Sequence, residues 1–400
     1  MTRDPSDETK WRPATRLVRG GTRRSSFDET SEALFMTSGF VYGSAAEAEA
    51  AFKGECDRYV YSRFGNPTVQ MFERRLALLE GATGCKATAT GMSAVFTALA
   101  CGLRAGDRLV SSRALFGSCH YVVSEILPRF GIETDLVDGR DNEAWRDALA
   151  RPTACVFLET PSNPMLELVD LEFVSEAAHR SGARVVVDNV FATPILQKPL
   201  ELGADVVVYS ATKHIDGQGR ALGGAILTND TDWFEQTLVP FHRHTGPSLS
   251  PFNAWLLLKG LETLDLRMQR HCSNARAVAH HLAGRNDLER VLHPSLPGHP
   301  QHDLALRQMR DGGSLVTLNV AGDRARAFNV LDALRVFDIS NNLGDSKSLA
   351  THPATTTHQR FTPEQRAEIG IFDNTVRLSI GLEDEADLIE DLDQALRRAA

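Results

Sequence analysis

Residues 206–213 read VVVYSATK, an apolar run that ends in two hydroxyl side chains and a lysine. A continuous valine-rich run is typical of a strand buried on both faces of a parallel sheet. Two earlier segments share this design: VVVD at 185–188 is followed by Asn189, and CVFLE at 155–159 is followed by TPSNP. Ligands of open parallel sheets bind beyond the carboxyl ends of the strands. The residues after these three runs are therefore the first candidates for a functional site.

Strand and helix patterns alternate around this stretch, which predicts the α/β class with a mostly parallel sheet. A helix is predicted from the Asn66-Pro67 cap to Gly81, because Asn and Pro favour a helix start and Gly a helix end. Strands are predicted at 108–112, 132–137, 154–159, 183–188, 204–210 and 223–228, and further helices at 92–103, 119–130, 142–150 and 171–180.

The two ends of the chain differ from this central part. Residues 1–65 carry little periodic pattern and predict an extended polar arm. Such an arm is either flexible or packed on another surface, and contact with a neighbouring subunit is the prediction made here. Residues 66–262 form the predicted large domain and 263–400 a smaller C-terminal α/β domain. Its predicted elements are strands at 314–320 and 375–380 and helices at 324–337 and 383–398, and a long helix over 250–281 leads into it.

The composition is that of an ordinary globular protein. The chain has 400 residues, 42% of them hydrophobic and 24% charged, with a net charge of −9, which excludes collagen-like and wholly disordered classes. The acidic balance argues against a nucleic-acid partner, since such proteins present a basic stripe. No run is long enough to cross a bilayer and no secretory signal is evident. The six cysteines have no CxxC pairing, which predicts reduced thiols and a cytoplasmic protein.

The strand ends carry the functional groups of a pyridoxal phosphate (PLP) site. Lys213 alone predicts little, because a lysine after a strand is usually a solvated loop residue. In this group, however, Lys213 can form a Schiff base with an aldehyde and Asp188 can pair with a pyridinium nitrogen. The hydroxyls of Ser210 and Thr212 can bind a phosphate, and Gly91 opens a helix whose N-terminus offers a second phosphate contact.

Other kinds of site are weakly supported. Gly217 and Gly219 lack the third glycine of a GxGxxG element, and the sequence contains neither GxxxxGK[ST] nor HExxH. The pairs His242/His244 and His280/His281 have no Cys or carboxylate at metal-ligand spacing, so solvent-facing histidines and no metal site are predicted.

The sequence resembles the Cys/Met-metabolism family of PLP enzymes over nearly its whole length. The resemblance is carried by Tyr61-Ser62-Arg63 with Asn66-Pro67-Thr68, by residues 159–164, by Asp188-Asn189 and by residues 210–213, in that order. It implies fold type I, a mostly parallel seven-stranded sheet with a smaller C-terminal α/β domain, and PLP as the cofactor.

The family pattern also implies a role for individual residues. Lys213 would bind the cofactor and move protons, and Asp188 would pair with the ring nitrogen. Asn163 would lie near the ring hydroxyl. The phosphate would be held by Ser210, Thr212, Gly91 and Met92, and from a neighbouring subunit by Tyr61 and Arg63. This sharing requires at least a dimer, and the family is typically a tetramer of two dimers.

Two positions concern the substrate directly. The resemblance implies that Arg377 binds the substrate α-carboxylate, although its strand pattern alone favours an exposed side chain. The resemblance also implies that Asn342 binds the substrate, at the position where the lyases and cystathionine synthases usually have the serine of a Ser-Leu-Gly-Gly stretch.

Phe116 stands where the family often has a tyrosine stacked on the cofactor. Its ring can stack but has no hydroxyl to donate a proton, which disfavours lyases that expel a thiolate. Residues 342–358 are similar to the homoserine-ester sulfhydrylases of the family. The Phe116-Gly117-Ser118 loop and residues 37–42 look most like the branch that replaces the succinyl group of O-succinylhomoserine with sulfide, in methionine biosynthesis. The alternatives are cystathionine γ-synthesis with cysteine as nucleophile, O-acetylhomoserine as the ester, and a cystathionine or methionine γ-lyase.

Overall fold

The computed structural model describes residues 5–399 and contains a seven-stranded and a five-stranded β-sheet. The larger sheet has the spatial order β1-β7-β6-β5-β4-β2-β3. Only β7 runs antiparallel to its neighbours, which confirms the predicted mostly parallel seven-stranded sheet. Its strands are β1 Gly84–Thr88, β2 Arg108–Ser112, β3 Glu133–Val137, β4 Cys155–Glu159, β5 Arg184–Asp188, β6 Val206–Ser210 and β7 Gly224–Thr228.

The strand β1 was not predicted from the sequence. Its residues GCKAT contain a glycine and a lysine and no run of β-branched side chains, so the segment has little intrinsic strand preference. It lies at one edge of the sheet, with β7 as its neighbouring strand, and its last residue Thr88 also forms a bridge with Ser248. By contrast, the valines of β5 and β6 are almost completely buried, as expected for central strands with helices on both faces.

The helices before residue 284 include the predicted ones, in the predicted order, and five short helices that were not predicted. They are α1 Pro13–Arg19, α2 Ala45–Lys53, α3 Pro67–Glu80, α4 Gly91–Ala100, α5 Gly117–Tyr121, α6 Asn142–Ala148, α7 Leu171–Arg180, α8 Thr193–Leu196, α9 Thr231–Trp233, α10 Val239–Thr245, α11 Pro251–Glu262 and α12 Leu264–Ala283. Helix α3 begins as predicted, because the Asn66 side chain accepts hydrogen bonds from the Thr68 and Val69 amides. It ends at Gly81, whose φ of 87° is left-handed and costs glycine little.

Three predicted segments differ in detail from the structure. The predicted helix 119–130 starts at Gly117 and changes to a π-turn at Val122–Ile126 and a 3-10 turn at Leu127–Phe130. Pro128 in the last turn has no N–H and cannot continue an α-helical ladder. The predicted helix 250–281 is broken at Thr263 into α11 and α12. The arm before residue 66 contains α1 and α2, and Leu17 of α1 is buried in the main core.

The smaller sheet lies in the C-terminal part of the chain, in the order β10-β11-β12-β9-β8. All its pairings are antiparallel except that of β10 with β11. Its strands are β8 Leu288–Leu292, β9 Leu315–Val320, β10 Asp338–Ile339, β11 Leu349–Thr351 and β12 Thr375–Ser379, and its helices are α13 His302–Gln308, α14 Arg324–Ala333, α15 Pro363–Glu368 and α16 Glu385–Arg398. A separate apolar core joins α12, α14 and α16 to this sheet. The predicted boundaries at residues 65 and 262 stay a prediction.

A buried carboxylate fixes the segment that follows α14. Asp391 of α16 is 4% exposed and accepts hydrogen bonds from the amides of Arg335, Val336 and Phe337 at 2.8–3.2 Å. These amides lie beyond the helix end and have no intrahelical acceptor. The Asp391 side chain therefore fixes the chain segment that leads into β10.

We expect Asp391→Ala to lower the free energy of unfolding by about 2 kcal/mol, because a bond to a charged acceptor contributes about 1.5–3 kcal/mol. Urea denaturation followed by circular dichroism measures this change. The matched control is Glu390→Ala, since Glu390 is exposed on the same helix and such surface changes shift stability by about 0.5 kcal/mol or less. Equal effects of the two substitutions would contradict the role of Asp391.

Candidate active site

The three adjacent parallel strands β4, β5 and β6 end at the same edge of the larger sheet. Glu159 and Asp188 are paired in register at the ends of β4 and β5, and Ser210 ends β6. The predicted convergence of these strand ends is therefore present. Both carboxylates are buried, Glu159 at 4% and Asp188 at 8% exposure.

Asp188 is a buried acid that forms no salt bridge within residues 5–399. One of its oxygens accepts a hydrogen bond from the Val190 amide at 3.1 Å. Burial raises the pKa of Asp188 to about 7, because a low-dielectric environment disfavours the charged form. A protonated ring nitrogen supplied by a cofactor would provide the missing cation. The site therefore fits the pyridine ring of PLP.

Lys213 lies in the turn that follows β6. Its Nζ donates a hydrogen bond to Asn342 Oδ1 at 2.5 Å. Burial, and secondarily the positive charge of Arg377, lower the pKa of Lys213 to about 8. A substantial fraction of the amine is thus neutral at mildly basic pH, and the neutral amine is the nucleophile that attacks an aldehyde.

A glycine allows the start of α4 to approach Ser210 very closely. A Cβ atom placed on Gly91 would lie 2.5 Å from Ser210 Cβ and 2.7 Å from its Oγ. Thr90 caps the helix by accepting the Ser93 amide, and the first amides of a helix have no intrahelical acceptor. Ser210, Gly91 and the neighbouring Met92 therefore form a cradle that suits a phosphate.

Thr212 is held beside this cradle by the loop that precedes β7. Its Oγ1 donates to the Gly223 carbonyl at 3.3 Å and accepts the Gly223 amide at 3.2 Å. The hydroxyl thus already has local partners in this structure.

Arg377 on β12 is a buried cation that forms no salt bridge within the described residues. It is 1% exposed, so the exposed position favoured by its strand pattern is wrong. Its Nη1 donates to Asn163 Oδ1 at 2.9 Å, and its Nη2 donates to the carbonyls of Asn341 and Asn342. Its Nε has no hydrogen-bond partner. A fixed positive charge with a free donor suits a ligand carboxylate.

Two predicted residues lie apart from this group within the single chain. Tyr61 is 43% exposed, and the Arg63 guanidinium lies over the rings of Tyr61 and Phe64 and donates to the Arg243 carbonyl. Across residues 5–399 neither has a hydrogen bond or ring contact with the strand-end group. Their contact with a neighbouring subunit's cofactor stays a prediction.

Glu159, for which no role was predicted, joins two of the predicted site residues. Glu159 Oε2 accepts the Phe116 amide at 2.7 Å, and Oε1 accepts the Asn163 amide at 2.8 Å. The sequence signal for Glu159 is its position as an acidic residue at the end of a predicted strand, which is also the position of Asp188. A single strand-end acid is usually a cap or turn former, so only the register reveals the pair.

One histidine prediction is wrong. His242 is 2% exposed instead of solvent-facing, and its Nε2 contacts the Ala87 carbonyl at 2.9 Å. It is thus part of the packing beside β1.

The fold and the strand-end group together define a PLP-dependent enzyme of fold type I. The sequence model of the Cys/Met metabolism PLP-dependent enzyme family matches residues 14–397, and the chain belongs to this family. It is 60% identical to O-succinylhomoserine sulfhydrylase from Mycobacterium tuberculosis, over 96% of this chain and 95% of that protein. It is 48% identical to O-succinylhomoserine sulfhydrylase from Pseudomonas aeruginosa, over 96% and 94% of the two chains.

A solved structure from Campylobacter jejuni is similar along the whole fold. That protein is described as a putative O-acetylhomoserine (thiol)-lyase with N'-pyridoxyl-lysine-5'-monophosphate. It shares 32% identity with this chain, and the match has a TM-score of 0.92 and covers 97% of this chain and 100% of that one.

We expect Gly91→Ala to weaken PLP binding by about fivefold or more, because overpacking of this kind costs about 1–3 kcal/mol. The added methyl would force the start of α4 away from Ser210. Titration of the apoprotein with PLP, followed by fluorescence quenching, measures the affinity. Gly102→Ala is the matched control, since a Cβ there meets Trp233 Nε1 at an ordinary 3.6 Å. Equal affinities of the two variants would contradict a cradle at Gly91.

We expect acylation of Lys213 in the apoprotein to rise with pH around a midpoint near 8, because burial and Arg377 lower the pKa of Lys213 to about 8. Trace acetic anhydride labelling with peptide mass spectrometry measures the profile, and N-acetyl-lysine amide, with a pKa of about 10.4, is the reference. Arg377→Met should move the midpoint upward. A midpoint near that of the reference amine would contradict the lowered pKa.

The same lowered pKa has a consequence for stability. The unfolded chain binds the Lys213 proton more tightly than the folded chain does, so stability increases as pH rises from about 8 towards the ordinary lysine value. The cost of burying this charged amine is fully present below that range.

Proposed function

We propose that this enzyme converts O-succinyl-L-homoserine and sulfide to L-homocysteine and succinate by γ-replacement, in methionine biosynthesis. The observation that carries this proposal is the 60% identity, over 96% of the chain, to a protein named O-succinylhomoserine sulfhydrylase. Phe116 supports it, because succinate is a weakly basic leaving group that needs no proton from a tyrosine at this position.

The residues at the strand ends are proposed to hold the cofactor. Asp188 would face the pyridine nitrogen, and the ring of Phe116 would stack on the face of the pyridine. Asn163 would lie near the ring hydroxyl. The phosphate would be held by Ser210, Thr212, Gly91 and Met92, together with Tyr61 and Arg63 of a neighbouring subunit.

PLP, when bound, supplies an electron sink for the carbanion formed at the substrate α-carbon. The Arg377 guanidinium would bind the α-carboxylate and thereby orient the Cα–H bond towards the Lys213 amine. The neutral amine would accept the Cα proton and later return it. It would also accept a Cβ proton and return it in a later step. Asn342 Oδ1, which accepts from Lys213 Nζ, would position the amine between these transfers.

The proposed reaction is balanced without an oxidant or a reductant. The Cγ–O bond breaks and both of its electrons leave with succinate. A Cγ–S bond forms with hydrosulfide, and the protons taken from Cα and Cβ are returned to the product. Phe116 contributes no proton to the leaving group.

The enzyme is proposed to act as a cytoplasmic homotetramer of dimers with shared active sites. Several apolar side chains of the N-terminal arm support an interface there, since they are unusually exposed for a single chain. These are Phe27 at 89%, Val41 at 88%, Phe52 at 70% and Met36 at 64% exposure. None of the described helices is both long and apolar enough to span a membrane.

The proposal predicts homocysteine and succinate in equal amounts when O-succinylhomoserine and sulfide are the only substrates. Chromatography with mass spectrometry identifies both products. Crossing the succinyl and acetyl esters with sulfide and cysteine separates the alternatives. Formation of an α-keto acid and ammonia without sulfide incorporation would indicate a γ-lyase and overturn the proposal, and preference for cysteine would indicate cystathionine γ-synthesis.

Lys213→Ala should lower turnover by at least about a thousandfold, because it removes both the covalent anchor and the acid–base group. Lys53→Ala is the control, since its amine is exposed and pairs with Glu49 within α2. Size-exclusion chromatography and circular dichroism check that both variants keep the wild-type fold. Near-normal turnover of Lys213→Ala would contradict the assigned role.

A further inference from the structure

Glu159 lies beside Asp188, and none of the roles proposed above uses its carboxylate. It is the last residue of β4 and is 4% exposed. It forms no salt bridge within residues 5–399. Burial and the neighbouring Asp188 raise the pKa of Glu159 well above its usual range. Such a costly group is retained at a site only when its contacts compensate for burial.

Both oxygens of Glu159 accept a backbone amide, and the two amides belong to different loops. Oε2 accepts from Phe116 at 2.7 Å, in the loop between β2 and α5, and Oε1 accepts from Asn163 at 2.8 Å, in the loop after β4. These loops carry the side chains proposed to touch the face and the hydroxyl of the cofactor ring. Asn163 also accepts a hydrogen bond from Arg377 at 2.9 Å.

We infer that Glu159 is a positioning residue for the reaction, which holds Phe116 and Asn163 at a fixed spacing beside Asp188. Through Phe116 it sets the height of the aromatic ring over the cofactor. Through Asn163 it sets the position of the Arg377 guanidinium. This inference rests on the proposed function, because it concerns the same cofactor site.

The chemistry of the two contacts requires a glutamate. A carboxylate accepts hydrogen bonds at both oxygens, whereas glutamine accepts at one and would present N–H donors to the other amide. Aspartate keeps both acceptors but is one methylene shorter, so it cannot span both loops. The two substitutions therefore remove the bridge in different ways.

The test compares Glu159→Gln with Glu73→Gln. Glu73 is 8% exposed, its Oε1 accepts the Ala87 amide at 2.8 Å and lies 3.5 Å from Lys86 Nζ, so it is a buried, amide-bonded glutamate that lies outside the proposed site. Hydrogen–deuterium exchange of the apoprotein should be faster in peptides covering 113–118 and 160–165 for Glu159→Gln only. In PLP titrations, Glu159→Gln should lose about tenfold in affinity, the effect of losing one buried hydrogen bond and leaving an amide unpaired. The visible circular dichroism of the bound cofactor should also change.

A double substitution tests whether Glu159 acts through Phe116. In a Phe116→Ala background, Glu159→Gln should cost clearly less PLP affinity than in the wild type, because coupled residues are not additive. Full additivity of the two substitutions would overturn the inference. When the wild type takes up PLP normally, unchanged hydrogen–deuterium exchange or unchanged circular dichroism of Glu159→Gln would overturn it as well.

Two further outcomes are distinguishable. If Glu159→Gln does not fold, the same measurements are made on Glu159→Asp. Hydrogen–deuterium exchange and circular dichroism equal to those of the wild type would then overturn the inference. If the wild-type protein takes up no PLP, the proposed function fails and the inference fails with it.

Discussion

The parallel pairing of β4, β5 and β6 is the constraint on which the site depends. Parallel strands bring their carboxyl ends to one edge of a sheet, and here that edge collects Glu159, Asp188 and the turn that carries Lys213. The valines of β5 and β6 are buried on both faces of the sheet, and this packing anchors the strands whose ends carry the functional groups. The position of each functional group is therefore determined by apolar packing some residues before it.

The groups at this edge are electrostatically incomplete in the protein alone. Asp188 is a buried acid and Arg377 a buried cation, and neither forms a salt bridge within the described chain. Burial of unpaired charge is costly, and a pairing ligand removes that cost. A cationic ring nitrogen and a substrate carboxylate have the charges that these two groups lack. The same reasoning explains why burial and Arg377 lower the pKa of Lys213 to about 8.

The sequence allowed prediction of the parts of the fold that depend on local pattern. The valine-rich strands and the Asn66 cap were predicted because their signals lie within a few neighbouring residues. The edge strand β1 was missed, since GCKAT has no such signal. The burial of Arg377 could not be predicted from its strand, because its partner Asn163 lies 214 residues away. The bridging contacts of Glu159 depend in the same way on two loops whose distance is set only by the folded sheet.

Three hydrogen bonds connect the loops at the strand ends of the larger sheet to the C-terminal part of the chain. Lys213 bonds to Asn342, Arg377 to Asn163, and Thr317 Oγ1 to the Pro164 carbonyl at 2.6 Å. Each bond joins a strand-end loop of the larger sheet to the C-terminal part of the chain. A change in the relative position of the sheets would thus change the distance between Lys213, which follows β6 of the larger sheet, and Arg377, which lies on β12 of the smaller one. Phe116, the residue proposed to stack on the cofactor ring, has no acidic proton, and this suits the proposed leaving group, which departs as a stable carboxylate.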